Sequence, residues 1–227
     1  MEPRRALLLV GSPKPGRSSS LALGEYLLAD LEQHGWGTET VNLRRTMNDP
    51  HQLRAAVDGA ELVILAYPLY VFGLPAPTVL ALERLAEVPH AGDGTAKGAA
   101  PGPRLVAIVN CGFPEHTHND LSIEMCRQFA AQAGWHWSGA LSLGGGGVLD
   151  GRPLRERGPV SRSVRHALEV AAAALDDGRD VPEKAVRLMA KPMLPPRRYR
   201  WASNHGWRSM ARGNGVREQL AERPFVT

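Results

Sequence analysis

The chain has 227 residues, 43% hydrophobic and 22% charged, with 27 Lys/Arg against 23 Asp/Glu, the composition of a folded domain large enough to bury a sizeable core. Its two cysteines, Cys111 and Cys126, show no C-x-x-C spacing, which argues against a disulfide scaffold, a zinc ribbon or an iron–sulfur cluster. The longest apolar run near the start, Ala6–Val10, is too short for a signal-peptide core or a membrane span, so a soluble cytoplasmic protein with no membrane partner is expected.

Ala6–Val10 runs into Gly-Ser-Pro and reads as a buried parallel strand. The next segment, GSPKPGRS from Gly11 to Ser18, is one letter from the phosphate loop of nucleotide hydrolases, G-x-x-x-x-G-K-[ST], with Arg17 in place of the lysine. Three observations disfavour a triphosphate. Pro13 and Pro15 remove two backbone donors from the cradle. Arginine, which replaces the lysine, is not geometrically equivalent to it. The runs LVILAYP and LVAIVNCG end without the acidic residue that would organise magnesium. A phosphate monoester asks for less: hydroxyls from Ser12, Ser18, Ser19 and Ser20, the amides of a helix N-terminus, and a cation such as Arg17. Taken alone, the segment also reads as a serine-rich helix cap with no ligand.

The helix that follows starts near Ser18, places Leu21, Gly24, Leu28 and Leu31 on one face and stops at Gly35. Thr38–Asn42 reads as a second strand. Asp49-Pro50-His51-Gln52 reads as a helix start with Asp49 as cap, ending near Gly59. Leu62–Ala66 is a third strand, and YPLYVFGLPAP (Tyr67–Pro77) follows it. Tyr70 and Phe72 there sit in a loop bounded by Pro and Gly that can lay backbone and aromatic edges along a flat ring, or is simply hydrophobic. A helix over Thr78–Glu87 and a Gly/Ala/Pro-rich loop (Gly92–Arg104), expected to be mobile, precede a fourth strand at Leu105–Val109. A helix over Leu121–Ala133, a fifth strand within Trp135–Leu143, four glycines (Gly144–Gly147) and a helix over Val160–Leu175 complete the pattern. Five strands separated by helices imply a doubly wound parallel α/β sheet, with ligands at the carboxyl ends of the strands.

Beyond Asp180 the periodicity weakens. From Arg187 to Thr227 nine Lys/Arg stand against two Glu, with Tyr199, Trp201 and Trp207 interleaved. No recognised nucleic-acid module accompanies this basic stretch, so nucleic acid is not expected as a partner. Residues 1–180 are expected to form the domain, and 181–227 an extension packing on it or on a partner subunit. EHTHND (Glu115–Asp120) gathers potential metal ligands, but Asn119 or Asp120 suits the cap of the next helix and no third histidine completes a site, so no metal is expected. Cys111 is either a reactive thiol or a small buried residue at a strand end, and Cys126 falls on an apolar helix face.

GSPKPGRSSSLAL, YPLYVFGLP and NCGFPE together resemble, in order and spacing, the three flavin-contacting loops of flavodoxin-fold NAD(P)H-dependent FMN reductases, over about residues 5–150. NCGFPEHTHND followed by GWHWSGALSLGGGG is further similar to a bacterial subgroup of NAD(P)H-dependent oxidoreductases with a basic C-terminal extension. The resemblance implies a flavodoxin-like five-stranded sheet in the order 2-1-3-4-5 and FMN bound non-covalently. It also implies NADH or NADPH as electron donor and a small acceptor: a quinone, an azo or nitro compound, or free flavin. By position, Ser12, Ser18, Ser19 and Ser20 would hold the FMN phosphate, with Arg17 as counter-charge. Pro68, Leu69, Tyr70, Val71, Phe72 and Gly73 would follow the ribityl chain and one ring edge. Asn110, Cys111, Gly112 and Phe113, with Glu115 beyond them, would meet the pyrimidine end, and Gly144 and Gly145 would bring backbone close to the flavin or a partner subunit. The family loop often has an asparagine where this chain has Ser18. Tyr70, Phe72 and His116 are the expected substrate-side residues, and no side chain is an obligatory catalyst because flavin N5 carries the hydride. A homodimer is expected. Two other readings are a flavodoxin-type electron carrier, against which a sequence pI near 9.4 argues, and a flavin-free interaction module, against which the serines, Pro68 and Tyr70 argue.

Overall fold

The computed structural model describes residues 4–46, 50–87 and 102–222. Five parallel strands, β1 (Arg5–Val10), β2 (Gly37–Asn42), β3 (Leu62–Pro68), β4 (Arg104–Asn110) and β5 (His136–Leu143), form one sheet in the order β2-β1-β3-β4-β5. That is the expected flavodoxin-like order. Crossovers run through α1 (Ser19–Gln33), α2 (Leu43–Thr46) with α3 (Pro50–Asp58), α4 (Ala76–Glu87) and α5 (Asp120–Gln132), and α6 (Arg162–Asp176) follows β5. The predicted cap at Asp49 and most of the Gly/Ala/Pro-rich loop lie outside the described residues.

Strands covered by helices on both faces must be apolar throughout, and β1, β3 and β4 are. Leu8, Val10, Ile64, Ala66, Val106 and Ile108 point into one core, against Leu23, Leu27 and Leu31 of α1 and Leu168 and Ala171 of α6. Their neighbours Leu7, Leu9, Val63, Leu65, Leu105 and Ala107 point into the other, against Val57 of α3, Leu82 of α4 and Phe129 of α5. Edge strand β2, GTETVN, needs only one apolar face and buries only Val41. Helix α1 sits so close to β1 that a Cβ on Gly24 would lie 2.7 Å from Leu8 Cδ2. Gly24, Leu28 and Leu31 of the expected face are buried, the stripe widens to Leu23 and Leu27, and Leu21 is half-buried at the rim.

The described residues form two compact units, one ending at Met193 and the other beginning at Leu194. Within the first, the chain after α6 turns back across the far edge of the sheet. Val181 N–H donates to Ser138 O at 2.8 Å, and Asp180 meets His136 Nε2 at 2.7 Å. Arg104 donates to Ser138 Oγ and to Leu175 O. Helix α7 (Glu183–Met189) then buries Ala185 and Met189 in the α6-side core. The second unit is built on α8 (Pro196–Gly213), which starts with proline at its first position and leaves Trp201, Trp207 and Met210 exposed. Among the described residues no helix is long and apolar enough to cross a membrane.

Candidate functional site

At the carboxyl ends of β1, β3 and β4 lies a cleft of about 210 Å3, walled by Ser12, Lys14 and Ser18–Ser20, by Pro68–Tyr70, by Asn110–Gly112, and by Gly146 and Gly147. The first wall turns into α1 through Ser18, whose extended backbone and side chain cap the helix, with Oγ accepting from Leu21 N–H at 3.1 Å. Ser12 Oγ accepts from Lys14 N–H at 3.4 Å and Ser20 Oγ from Asn110 Nδ2 at 2.8 Å. A hydroxyl has one proton to give. Ser12, Ser18 and Ser20 therefore keep theirs, whereas Ser19 donates to Gly146 O at 2.9 Å. The N–H groups of Ser19 and Ser20 lie in the first turn of α1, where no intrahelical acceptor exists. Three hydroxyl protons and two amides beside a helix N-terminus form a donor set for one phosphate dianion.

Replacing Ser18 by alanine tests both of its duties. The lost cap is expected to lower stability by about 1 kcal/mol, and the lost donor to weaken phosphate-ester binding about tenfold. Thermal melting and ligand titration read the two effects separately.

The second wall is anchored from below by Tyr67, whose hydroxyl bonds Ser122 O at 3.1 Å and meets Cys126 Sγ at 3.3 Å. Above it, Tyr70 and Gly73 exchange two backbone hydrogen bonds, 3.1 and 2.9 Å, and close a two-residue turn. Both central residues have positive φ, Val71 at 50° and Phe72 at 60°. Such a turn ordinarily takes Asn and Gly, and a β-branched residue there is strained by about 1–3 kcal/mol. Val71 is 97% exposed, so no packing of its side chain offsets the strain. The turn instead delivers Phe72 to Phe113, ring centroids 5.8 Å apart, and Phe113 meets His118 at 4.3 Å. Tyr70, Phe72 and Phe113 are each about half exposed.

Asn110 ties the third wall to the other two. Its buried Nδ2 donates to Ser20 Oγ and, at 3.2 Å, to Tyr67 O. The glycine run closes the site from the β5 side. A Cβ on Gly144 would run into the Pro114 carbonyl, Gly145 N–H donates to Phe113 O at 2.6 Å, and Gly146 N–H donates to Cys111 O at 2.8 Å. Gly144 and Gly145 thus bring backbone against the 111–116 loop, and it is Gly146 and Gly147 that face the cleft. Gly151, at φ 64°, braces the first wall from behind; a Cβ there would lie 3.0 Å from Ser18 N.

Burial pushes the Cys111 thiol up, outweighing hydrogen bonds from the backbone of Phe113 and Gly145, and pushes Cys126 up to about 11. A protonated, buried thiol is a poor nucleophile. Both thiols are expected to resist a disulfide reagent at pH 8 in the folded protein and to react at once in denaturant; a fast-reacting native thiol would refute this. Asn119 stands at the cap position of α5 without a side-chain cap bond: its Nδ2 donates to Ser142 Oγ and Leu143 O, an orientation that leaves Oδ1 buried and unpartnered. Among the described residues no group of three or more His, Cys, Asp or Glu side chains is placed to hold a metal.

Residues 4–136 match a family model described as a flavodoxin-like fold. The chain belongs to that family. Solved structures similar to this flavodoxin-like chain include an FMN-dependent NADH-azoreductase from Bacillus anthracis in complex with FMN, at 15% identity and TM-score 0.58, covering 76% of this chain and 100% of that one. An NADH:FMN oxidoreductase in its apo form aligns at 15% identity and TM-score 0.56, over 85% and 96% of the two chains. The Trp repressor binding protein of Bacillus subtilis aligns at 17% identity and TM-score 0.53, over 73% and 95%. No curated protein sequence matches significantly.

Within this flavodoxin-like cleft, two placements differ from the sequence reading. Lys14 lines it, whereas Arg17 stands beyond the bend at Gly16 (φ 77°) and lines a separate cleft. The histidine that joins Phe72 and Phe113 is His118, while His116 keeps Nδ1 buried without a partner and offers its carbonyl to Ser142 Oγ. Both histidines lie in one 3-10 turn, His116–Asn119. At about three residues per turn, positions two apart point in different directions, a signal available in HTHN itself.

Proposed function

We propose that this chain binds FMN non-covalently in the cleft at the ends of β1, β3 and β4 and acts as an NAD(P)H-dependent oxidoreductase on a small acceptor. The observation that carries the reading is the donor set of Ser12, Ser18, Ser19 and Ser20, matched to one phosphate and placed next to an aromatic-rimmed opening. The FMN- and NADH-dependent enzymes among its structural neighbours support it. When bound, FMN supplies a ring that accepts hydride from a nicotinamide and passes the electrons on.

The protein's own part is binding and orientation. Ser12, Ser18 and Ser20 hydroxyls, with the α1 amides, would hold the phosphate, and Lys14 would supply the counter-charge assigned earlier to Arg17. The Leu69–Gly73 turn and the Asn110–Phe113 loop would set the ring, and Phe72 and Phe113 would offer flat faces to an aromatic acceptor. The reading includes a homodimer in the cytoplasm; light scattering at twice the 24.6 kDa chain mass checks the assembly. The purified protein is expected to be yellow, with absorbance near ~450 nm that NADH or NADPH bleaches. A protein that stays colourless after excess FMN sinks the proposal. A pure electron carrier would bleach as well, so turnover with a panel of quinones, azo and nitro compounds and free flavin separates enzyme from shuttle.

A further inference from the structure

The phosphate loop has a second side. Beyond the bend at Gly16 lies another cleft, about 710 Å3, at the carboxyl ends of β1 and edge strand β2. That volume is within the range of small-molecule sites, and nothing in the FMN reading uses it. Its chemistry is mixed. Half-buried Leu21 and the aliphatic stems of its long side chains give it apolar surface over a floor that includes the buried Val10 and Val41, Arg17 and Arg45 bring two exposed guanidinium groups, and Glu25 and Glu39 bring carboxylates. Leu21 and Glu25 are one turn apart on α1 and share its face. Glu25 is exposed at the rim, and its partial desolvation pushes the carboxyl up from its ordinary range. Glu39 pairs with Arg5 at 3.2 Å.

This combination selects among ligands. A bare anion would use the arginines and waste the apolar wall, and an apolar ligand would leave four charged groups beside it. A nucleotide uses all of them: the guanidinium groups bind phosphate, the apolar surface takes a purine, and the carboxylates accept from ribose hydroxyls or an exocyclic amine. In the dinucleotide-binding type of doubly wound sheet an acidic residue about 20 positions past the phosphate loop bonds the ribose hydroxyl, and here the strand after the loop and α1 is β2, which carries Glu39. Only the loop itself separates this cleft from the phosphate donors, with Ser12, Lys14 and Ser18 on one side and Gly16 and Arg17 on the other.

We propose that the second cleft binds the adenylate half of a dinucleotide. The proposal extends the FMN reading and rests on it for what occupies the other side of the loop. Two sources share this chemistry: a flavin that carries an adenylate, and the nicotinamide donor.

The test is calorimetric titration of the full-length protein with 5′-AMP, with and without FMN. AMP is expected to bind, and Arg45→Ala to weaken it about tenfold, with Arg45→Glu weaker still and FMN affinity the same in all three proteins. If FAD then binds tighter than FMN and Arg45→Ala erases the difference, the adenylate belongs to the flavin. If the Arg45→Ala substitution instead raises KM for NADH or NADPH but not for reduced nicotinamide mononucleotide, it belongs to the donor. Absence of AMP binding, or AMP binding indifferent to both Arg45 substitutions, overturns the proposal. A protein that takes AMP but no flavin would overturn the FMN reading and leave this one standing.

Discussion

Replacing Gly144 by alanine is expected to destabilise the protein by about 3 kcal/mol, the upper range for overpacking a filled site, and to lower its melting temperature by roughly 6–12 °C. The added Cβ would overlap the Pro114 carbonyl oxygen, with the carbonyl carbon at 2.8 Å and His116 N at 3.0 Å. Every one of these obstacles is backbone, so no rotamer change relieves them. The 111–116 loop must move away from β5, and with it go the Gly145–Phe113 and Gly146–Cys111 hydrogen bonds. Flavin retention should fall together with stability. A variant melting within about 2 °C of the parent would show that this loop yields more easily than its packing indicates.

The second large effect belongs to Asn110→Asp. The native amide donates to Ser20 Oγ and Tyr67 O. A carboxylate there can still accept from the serine but faces the Tyr67 carbonyl with the wrong polarity, at a buried position. The expected cost is about 3 kcal/mol at pH 7, with loss of FMN binding. The sign of its pH dependence is fixed. Burial raises the introduced carboxyl's pKa in the folded state above its unfolded value of about 3.9. Below the unfolded value both states are protonated and the charge penalty vanishes; it grows as pH rises toward the raised folded value and is constant above it. Asn110→Ala, which brings no charge, should show a deficit that does not depend on pH. Urea denaturation of the two variants at pH 4 and pH 7 distinguishes them.

Much of this architecture is legible in the chain because the informative signals are local. Strands covered on both faces must be continuous apolar runs, and Leu62–Ala66 and Leu105–Val109 announce themselves. Each of the five strands ends within two residues of its expected end, because Gly, Pro or Asn stands at or just after each end (Gly11, Asn42, Pro68, Asn110, Gly144). The site was legible at the level of segments: three of the loops picked out from sequence line one cleft. What stayed hidden depends on direction. Lys14 and Arg17 are equally basic in sequence, and only the positive φ at Gly16 puts them on opposite sides of the loop. Gly144 and Gly146 are the same residue two positions apart; one meets Pro114 and the other Asn110. Where 181–189 docks was equally hidden, since Val181 bonds Ser138 of β5, more than 40 residues earlier, and Ala185 and Met189 join the α6-side core.

The two borders of the sheet bear on how the protein behaves when crowded. An exposed strand border is a template on which other chains can polymerise. Here β2 is only six residues long and carries a charged glutamate whose side chain pairs with Arg5. On the opposite border, Val181 takes up the Ser138 carbonyl and Asp180 clasps His136. Concentrated solutions should therefore resist amyloid-like growth from the native state, and any native self-association should use side-chain surfaces in preference to a shared backbone ladder.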